Sequence, residues 1–554
     1  MQQPLALLLC LVLLISPLGQ GQGQPRARTG APPRPHPRLV VGIMIDQFRA
    51  DYLMRFADQF VDGGFRRLLD GGAVFANAHY AHIPTYTACG HATFMSGTSP
   101  SSSGIVGNEW FERETGRRVT SVSDDNVKEL GGDGAAPGAS PVRLIGSTLG
   151  DELRLASNGQ SKVIGIAFKD RSAILPAGKR PNGAYWFDDK VGAFVSSTYY
   201  FNELPGWVSK FNRDVRPSRY FGAKWERLLP NDAYKRSRAD NAPEETGKYG
   251  NTFPYTITGG ETAPGPKFYA QFEMTPFANE YAIEFAKLAI ENEGLGADDV
   301  TDLLTISFSP NDLLGHSYGP YSQEMQDMTL RTDRLLAEFF GYLDRKVGLN
   351  RTQIVLSSDH GIAPIPEQVR DMGVGGRIDS KTITGAVQTA LRASFGEEKW
   401  VSDFVNANVY LDEGALERRK TNREEVERAA CAAVSRVAGV AACFTRSQLL
   451  KDELRHNRIS SSIARGFYPS RSGDVIIVPQ PYFFFFAENI ITTHGTAYRY
   501  DTHVPVIFFG PGIAPGTYFE ECSPADIAPT LAALLWLTPP SNSEGRVLAE
   551  AIKR

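Results

Sequence analysis

Six acidic and imidazole side chains follow apolar runs in the sequence closely enough to meet at one site. They are Asp46, Asp312, His316, Asp359, His360 and His494. Each one alone has an ordinary structural explanation, since an aspartate after a strand is often a cap and a lone histidine is usually a hydrogen-bonded core residue. Together they predict a metal site, because several charges in one cleft need a cation to neutralise them.

The mixture of carboxylate and imidazole ligands favours zinc over magnesium or calcium. Six protein ligands suffice for two tetrahedral sites that each keep one position open. Two zinc ions about 4 Å apart hold both the attacking and the leaving oxygen of a displacement reaction. The predicted chemistry is therefore a displacement at a two-metal centre.

Thr87 lies in Thr-Tyr-Thr-Ala-Cys-Gly-His, which predicts a loop that leads into a short helix ending at Gly97. Free N–H groups and the helix dipole at such an N-terminus favour a phosphate. A hydroxyl there is a candidate nucleophile, and coordination of Thr87 to zinc would stabilise its ionised form. The alternative is that Thr87 only caps the helix, which would be the preferred interpretation without the metal ligands.

Lys169, Asp170 and Arg171 follow a predicted strand at residues 163–168. If the extended conformation continues, Lys169 and Arg171 point to the same face and Asp170 points away. A planar guanidinium beside a compact ammonium would favour a dianionic phosphoryl group. Asn108, in Gly-Asn-Glu-Trp, is a further hydrogen-bond donor for that group. A Lys-x-Arg sequence on its own is usually a solvated strand end.

The elements that must position these side chains are predicted from the apolar runs. Strands are expected at residues 39–45, 162–168, 303–308, 353–356 and 504–509, and helices at residues 322–345 and 524–536, the latter capped by Ser523. Strand, loop and helix alternate, which indicates an α/β fold with a mostly parallel central sheet and helices on both faces. Ligands of such sheets bind beyond the carboxyl ends of the strands, where the candidate residues stand.

Two stretches interrupt this alternation within a catalytic domain expected over residues 39–554. Residues 179–293 are rich in aromatic residues, Asn and Pro, and predict an insertion over the sheet edge. Residues 371–482 predict a compact α+β subdomain, with helices at 383–394 and 423–438 and strands at 408–411, 440–445 and 475–478. Residues 483–486 are interpreted as a buried strand, with an aromatic lid as the alternative.

The first 38 residues predict export. Residues 5–15 form an apolar run too short to span a membrane, and small residues suited to a cleavage site near Gly21 follow it. Residues 1–21 are therefore interpreted as a signal peptide, and residues 22–38, rich in Pro, Arg and Gly, as a flexible leader. We expect a periplasmic or secreted protein that does not use a membrane as a partner.

Charge and cysteine content restrict the partners and the compartment. The formal net charge of −4 argues against nucleic acid as a specific partner. Without the leader, Cys89, Cys431, Cys443 and Cys522 remain in an oxidising setting. Cys431 and Cys443 are the favoured disulfide pair because they are close in sequence, whereas Cys89 equally suits a small core residue. The sequence does not determine the oligomeric state, for which a monomer is slightly favoured.

The chemical motifs resemble those of the alkaline phosphatase superfamily, most closely its zinc-dependent, phosphate-irrepressible bacterial alkaline phosphatases with a threonine nucleophile (the PafA and PhoK type). The matching motifs are Met44-Ile45-Asp46-Gln47, Pro84-Thr85-Tyr86-Thr87, Gly107-Asn108, Lys169-x-Arg171, Asp312-x-x-x-His316, Ser358-Asp359-His360-Gly361 and Thr493-His494-Gly495. They keep the order of that family and cover nearly the whole mature chain. Cys89 departs from the pattern, because proline is the commoner residue there.

The resemblance implies an enzyme that hydrolyses small phosphate monoesters through a phosphothreonine intermediate on Thr87. It implies two zinc ions per chain, one held by Asp312, His316 and His494 and the other by Asp46, Asp359 and His360 beside Thr87. Asn108, Lys169 and Arg171 would bind the nonbridging phosphoryl oxygens. Lys169 matches a lysine that stands, in this subfamily, near the third metal site of other alkaline phosphatases, so no third catalytic metal is expected.

Other functions fit the motifs less well. A phosphodiesterase or nucleotide pyrophosphatase of the same superfamily is the main alternative, but such enzymes generally lack the Lys-x-Arg pair. Sulfatases need Cys-x-Pro-x-Arg, whereas Cys89 is followed by Gly-His-Ala-Thr. Cofactor-independent phosphoglycerate mutase is cytosolic and usually serine-based. An exported binding protein would be favoured by loss of a ligand or of Thr87, and none is missing. His91 and His503 are predicted to be structural.

Overall fold

The structure is a computed structural model that describes residues 36–134, 137–245, 247–485 and 490–553. The predicted signal peptide, the leader up to residue 35 and Phe486 lie outside the described residues. In chain order the strands are β1 (Leu39–Ile45), β2 (Ala73–Phe75), β3 (Glu109–Glu112), β4 (Arg117–Thr120), β5 (Ser123–Leu130), β6 (Pro137–Ala139), β7 (Val163–Ala167), β8 (Gly183–Asp188), β9 (Ala193–Ser197), β10 (Lys224–Trp225), β11 (Tyr255–Thr256), β12 (Asp302–Phe308), β13 (Thr352–Ser357), β14 (Gly376–Ile378), β15 (Val401–Val405), β16 (Asn408–Leu411), β17 (Val440–Thr445), β18 (Val475–Pro479), β19 (Phe483–Phe485), β20 (Val506–Phe509) and β21 (Gly516–Tyr518).

The α-helices alternate with these strands through most of the chain. They are α1 (Asp51–Arg55), α2 (Phe65–Gly71), α3 (Thr87–Ser96), α4 (Pro100–Ser103), α5 (Leu149–Ala156), α6 (Asp170–Ala177), α7 (Gly206–Asp214), α8 (Pro266–Phe272), α9 (Pro276–Glu293), α10 (Pro310–Tyr318), α11 (Gln323–Lys346), α12 (Ser380–Phe395), α13 (Glu413–Arg419), α14 (Arg423–Val434), α15 (Arg446–Leu450), α16 (Arg458–Gly466), α17 (Arg499–Thr502) and α18 (Ile527–Leu534). Within the described ranges, no helix combines the length and apolarity needed to cross a lipid bilayer.

The central sheet has 11 strands in the order β21-β2-β20-β13-β1-β12-β7-β8-β9-β5-β6. Its middle strands β13, β1, β12, β7 and β8 are parallel, whereas β20 and β9 run antiparallel to their neighbours β13 and β8. The predicted α/β class is confirmed, but the sheet is mixed rather than mostly parallel. Helices cross between the parallel strands, whereas β8 and β9 are joined by four residues, a connection short enough only for an antiparallel pair.

Helices cover both faces of the sheet because the residues of the central strands are apolar on both faces. In β1, Val41 and Ile43 belong to the core cluster that includes Phe339 of α11, whereas Val40 and Met44 pack in the cluster of Phe94 and Leu531, from α3 and α18. Every residue of β1 is buried. Continuous apolar strands of this kind are typical of a sheet covered on both faces.

The two predicted insertions differ in their relation to the sheet. The segment at 179–293 contributes β8 and β9 to the central sheet in addition to its loops and α9. The segment at 371–482 forms a separate four-stranded sheet, β15-β16-β18-β17, covered by α12 and α14. The predicted disulfide between Cys431 and Cys443 is confirmed and joins α14 to β17. Residues 483–485 form strand β19, and Phe484 is buried.

Several predicted helix boundaries are close to the observed ones. The cap at Ser523 is confirmed, since its hydroxyl accepts a hydrogen bond from Ala525 N–H and its backbone N–H donates one to the Asp526 carboxylate. The helix predicted at 524–536 is divided into a short 3-10 helix, Pro524–Asp526, and α18. The helix predicted at 423–438 ends at Val434, four residues early, because the chain turns there to enter β17.

Close contact between β7 and α6 depends on Gly165. A Cβ built on Gly165 would lie 2.1 Å from the carbonyl oxygen of Ala173. We expect Gly165→Ala to lower the free energy of unfolding by about 1–3 kcal/mol, because the helix must move away from the strand. Gly385 in α12 has open space around the same position, so Gly385→Ala should raise the free energy of unfolding by up to about 1 kcal/mol. Denaturant titration measures both, and an unchanged Gly165→Ala protein would contradict this account.

Burial of Glu245 predicts a pH-dependent stability. Its side chain is 1% exposed and neither carboxyl oxygen has a hydrogen-bond partner among the described residues. Burial and the neighbouring Glu324 raise the pKa of Glu245 from 4.5 to about 9. The unfolded chain therefore releases this proton at a lower pH than the folded one, and the free energy of unfolding falls as pH rises from 4.5 to about 9.

We expect Glu245→Gln, which cannot ionise, to raise the midpoint of thermal unfolding at pH 8 and to have little effect at pH 4. The exposed Glu203 provides the control, since Glu203→Gln should leave the pH dependence unchanged. A Glu245→Gln protein with the pH profile of the parent would rule out a buried, protonated Glu245.

Candidate active site

Three buried carboxylates meet at the carboxyl ends of adjacent parallel strands. Asp46 directly follows β1, Asp312 lies in the first turn of α10 just after β12, and Asp359 lies just beyond β13. Because β1 pairs with both β12 and β13, the three side chains reach one cleft. Their exposures are 0%, 3% and 0%. The fold thus concentrates negative charge where water is excluded.

Each of the three predicted histidine ligands is held by its Nδ1 atom. The partners are backbone carbonyl oxygens, that of Thr492 for His316 (2.9 Å), of Thr85 for His494 (2.7 Å) and of Gly361 for His360 (2.9 Å). A carbonyl oxygen can only accept, so Nδ1 carries a proton and Nε2 is the ring atom left to bind a metal. A hydrogen bond from the ring nitrogen that does not bind the metal is what orients metal-binding histidines in general.

The Nε2 atoms face the carboxylates. His316 Nε2 and His494 Nε2 lie 3.3 and 3.6 Å from Asp312 Oδ1. His360 Nε2 lies 3.6 Å from Asp46 Oδ1 and 3.4 Å from Asp359 Oδ2. The potential ligand atoms of two groups each fall within 4.8 Å of one another, namely Asp312, His316 and His494, and Asp46, Asp312 and His360. Asp312 thus belongs to both groups.

The donor atoms suit zinc. Asp46 Oδ1 is buried and has no hydrogen-bond partner in the described part of the chain, and the buried Asp359 Oδ2 has His91 Nδ1 3.2 Å away. Burial and the neighbouring His360 hold the pKa of His494 well below its usual value, and burial lowers the pKa of His360. Both imidazoles are therefore neutral, which is the form that binds a metal. A buried set of imidazole and carboxylate donors with an unsatisfied oxygen fits a zinc centre.

Lys169 supplies the positive charge nearest to the carboxylates. Its Nζ atom lies 2.7 Å from Asp46 Oδ2 and 2.6 Å from Asp312 Oδ2. Although burial opposes its charge, Asp312 and Asp46 raise the pKa of Lys169. In return, and against the effect of burial, Lys169 and His316 hold the pKa of Asp312 well below its usual value. Burial and Asp359 raise that of Asp46.

The extended conformation considered for residues 169–171 holds for Lys169 but is wrong for Asp170 and Arg171. Strand β7 ends at Ala167 and helix α6 begins at Asp170, with Lys169 as its N-cap residue. Arg171 therefore lies in the first helical turn, and its direction is set by the helix rather than by strand alternation. The Nε atom of Arg171 is buried without a hydrogen-bond partner among the described residues, and its nearest ion pair is with Asp170 at 3.7 Å.

Thr87 is the first residue of α3, as the sequence predicts, and the helix ends before Gly97. The N-cap residue is Tyr86, so the alternative in which Thr87 caps the helix is wrong. Thr87 Oγ1 lies 3.5 Å from His360 Nε2. Asn108 Oδ1 accepts a hydrogen bond from Ala88 N–H at 2.9 Å, which fixes the amide group beside the turn of Thr87. Thr87, Lys169 and the predicted metal ligands thus lie close together, and Asn108 lies beside Thr87.

Two contributors were missed or undervalued by the sequence interpretation. Gln47 donates from Nε2 to Asp312 Oδ1 (2.6 Å) and from its backbone to Asp359 Oδ1 (3.0 Å). His91, predicted to be only structural, lies with Nδ1 3.2 Å from Asp359 Oδ2. Their positions in the Asp46 and Thr87 motifs were the available signal. His503 stacks on His79 at 4.6 Å, consistent with a structural role.

Comparison with known proteins places this geometry in a family. Residues 40–501 match the sequence model of the type I phosphodiesterase/nucleotide pyrophosphatase family. The chain is 38% identical over 525 residues to a protein of Myroides odoratus named calcium-transporting ATPase, covering 94% of this chain and 95% of the relative. It is 37% identical over 532 residues to alkaline phosphatase PhoV of Synechococcus elongatus, covering 93% of each. It is 36% identical over 534 residues to alkaline phosphatase PafA of Elizabethkingia meningoseptica, covering 95% and 96%.

The fold agrees with these sequence matches. The crystal structure of wild-type PafA superposes with a TM-score of 0.88 at 36% identity, covering 94% of this chain and 99% of PafA. A solved PafA variant, in which a threonine, an asparagine, a lysine and an arginine are replaced, gives the same TM-score of 0.88. The chain therefore belongs to the type I phosphodiesterase/nucleotide pyrophosphatase family of the alkaline phosphatase superfamily, and within it is an alkaline phosphatase similar to PafA.

Proposed function

We propose that this alkaline phosphatase is an exported, zinc-dependent enzyme that hydrolyses small phosphate monoesters through a phosphothreonine on Thr87. The observation that carries the proposal is the position of Thr87 Oγ1, at the N-terminus of α3 and 3.5 Å from His360 Nε2. A hydroxyl group placed both at a helix N-terminus and beside a metal-binding histidine is suited to attack a phosphate.

The carboxylates and histidines would hold two zinc ions. Asp312, His316 and His494 would bind one, and Asp46, Asp359 and His360 would bind the other beside Thr87. When bound, zinc neutralises charge on the attacking and leaving oxygens and lowers the pKa of a coordinated hydroxyl group. The unsatisfied Oδ1 atom of Asp46 supports this assignment, since a buried carboxylate oxygen without a partner is costly.

The phosphoryl group would be bound by three side chains with donors to spare. Lys169 uses two of its three N–H bonds on Asp46 and Asp312, and the third remains for a phosphoryl oxygen. The amide nitrogen of Asn108 is free to donate because its oxygen is the atom that Ala88 N–H engages. The Nε of Arg171 has no protein acceptor among the described residues. Two cations on this group favour a dianionic monoester over a monoanionic diester.

In the proposed reaction Thr87 Oγ1 attacks phosphorus and the alcohol departs, which leaves a phosphate ester on Thr87. Water then hydrolyses this ester and regenerates Thr87, with inorganic phosphate as the product. Throughout, Lys169, Arg171 and Asn108 hold the nonbridging oxygens, and this positioning with charge stabilisation is the main source of acceleration in phosphoryl transfer. The PafA variant in which one threonine, asparagine, lysine and arginine are replaced supports this choice of residue types.

Export is proposed from two features. Residues 1–21 have the composition of a signal peptide. The Cys431–Cys443 disulfide is typical of proteins that fold in an oxidising compartment. Together with the bacterial relatives, these features support a periplasmic or secreted location.

Phosphodiester hydrolysis is the second candidate, because the matched family is named for phosphodiesterases and nucleotide pyrophosphatases. We expect the kcat/KM for an aryl phosphate monoester to exceed that for the matching diester by a large factor. Removal of metal should abolish turnover, and zinc should restore it. Thr87→Ala should lower kcat by at least about a thousandfold. ATP belongs in the substrate panel because of the name of the Myroides odoratus relative. A preference for the diester would favour the second candidate.

Arg171 provides a separate test of monoester recognition. A hydrogen bond to a charged group contributes about 1.5–3 kcal/mol, so Arg171→Ala should lower kcat/KM for the monoester by about 10- to 150-fold. The diester, with one negative charge fewer, should lose less. Arg171→Lys keeps the charge but not the planar fork and should give an intermediate loss. Arg180→Ala, at an exposed position nearby in sequence, is the control. Equal losses for monoester and diester would count against this role of Arg171.

A further inference from the structure

Asp501 is a fully buried carboxylate outside the predicted ligand set. It lies in α17, seven residues beyond His494, and is 0% exposed. Its Oδ2 atom accepts hydrogen bonds from the backbone N–H of Thr496 (2.8 Å) and from the Thr496 hydroxyl (2.6 Å). These two bonds close the turn that carries His494 back onto α17.

The same turn is tied to the nucleophile loop. The carbonyl oxygen of Thr496 accepts a hydrogen bond from the Thr85 hydroxyl at 3.0 Å. The carbonyl oxygen of Thr85 in turn engages His494 Nδ1 at 2.7 Å. The orientation of His494 therefore depends on where Thr496 is held, and Asp501 holds it.

The main chain of Asp501 helps to hold His360 through Gly361. Its carbonyl oxygen accepts a hydrogen bond from Gly361 N–H at 2.7 Å, and the carbonyl oxygen of Gly361 engages His360 Nδ1 at 2.9 Å. The contact is close, since a Cβ on Gly361 would lie 2.2 Å from the carbonyl oxygen of Tyr500. The rings of His360 and His494 are stacked with centroids 3.5 Å apart.

We infer that Asp501 is a positioning residue that sets His494 against His360 and thereby fixes the two halves of the metal centre relative to each other. The inference rests on the proposed two-zinc function. Asp501 acts through Thr496 and through its backbone, not by binding metal or substrate. Loss of the carboxylate releases the His494 turn but leaves the backbone bond to Gly361, so the zinc held by His494 is affected more than the zinc held by His360.

Asp501→Asn is the conservative variant, because only one oxygen of the Asp501 carboxylate accepts the bonds from Thr496. Asp501 Oδ1 has no hydrogen-bond partner among the described residues. In Asp501→Asn the remaining carbonyl oxygen can keep both bonds from Thr496, whereas Asp501→Ala loses them. Asp302 supplies a matched control, because it is 2% exposed and accepts backbone hydrogen bonds from Lys162 (2.7 Å) and Gly296 (2.8 Å) at the opposite end of the sheet.

The test measures zinc per chain and zinc affinity by chelator competition, together with thermal unfolding of the metal-free proteins. Loss of residues that orient metal ligands typically costs 10- to 100-fold in affinity. We expect Asp501→Ala to lower the affinity for one of the two zinc ions by about that factor. Asp501→Asn should change the same affinity by less than about threefold. Asp302→Ala should lower the thermal midpoint without changing zinc affinity.

Parental zinc affinity at both sites in Asp501→Ala, or an equal loss in Asp302→Ala, overturns the positioning role while the two-zinc proposal stands. Fewer than two zinc ions in the parent protein overturns the proposed function and this inference with it. If Asp501→Ala does not fold, Thr496→Val removes only the hydroxyl bond. If Thr496→Val binds zinc more weakly than Thr496→Ser, the positioning role of Asp501 is supported. Equal zinc affinity in these two variants overturns that role.

Discussion

Asp46, Asp312 and Asp359 are buried side by side at the ends of three parallel strands, and the repulsion among their charges is the constraint to which the surrounding structure responds. Burying charges without compensation is strongly unfavourable. The positive charge of Lys169 offsets part of this unfavourable free energy through its contacts with two of the three carboxylates. The unpartnered Oδ1 atom of Asp46 and the neutral His360 and His494 support the metal centre proposed here.

The parts of the site are held by bonds between distant segments of the chain. Gln47 links Asp312 to the loop of Asp359, and His91 links the nucleophile helix to Asp359. Close packing reinforces these bonds, since a Cβ on Gly90 would lie 2.3 Å from the carbonyl oxygen of Asp359. Thr87 and the proposed metal ligands are thus positioned by one connected network, which is the arrangement that catalysis by preorganised charge requires.

Proteins similar to this chain are named for different activities. The family model is named for diester and pyrophosphate hydrolysis, while the PhoV and PafA relatives are alkaline phosphatases. The proposed difference lies in the groups that face the phosphoryl oxygens. Lys169, in contact with Asp46 and Asp312, and Arg171, in the first turn of α6, would add positive charge around the phosphoryl group. Under the proposed function, this local charge would set the preference between monoesters and diesters.

Sequence patterns alone determined much of this protein. The apolar runs predicted the strands that carry Asp46, Asp312 and Asp359, because fully buried strands have a distinctive composition, and the helix that begins at Thr87 followed from its loop and glycine signals. The Cys431–Cys443 disulfide followed from proximity along the chain.

Tertiary structure alone decided the helical placement of Arg171, the antiparallel edges of the sheet, and the roles of Gln47, His91 and Asp501. These features depend on partners that are remote in sequence, such as Gln47 with Asp312 and Gly361 with Asp501. Local pattern holds no information about such pairs, because they form only when packing of the sheet and its helices brings the segments together.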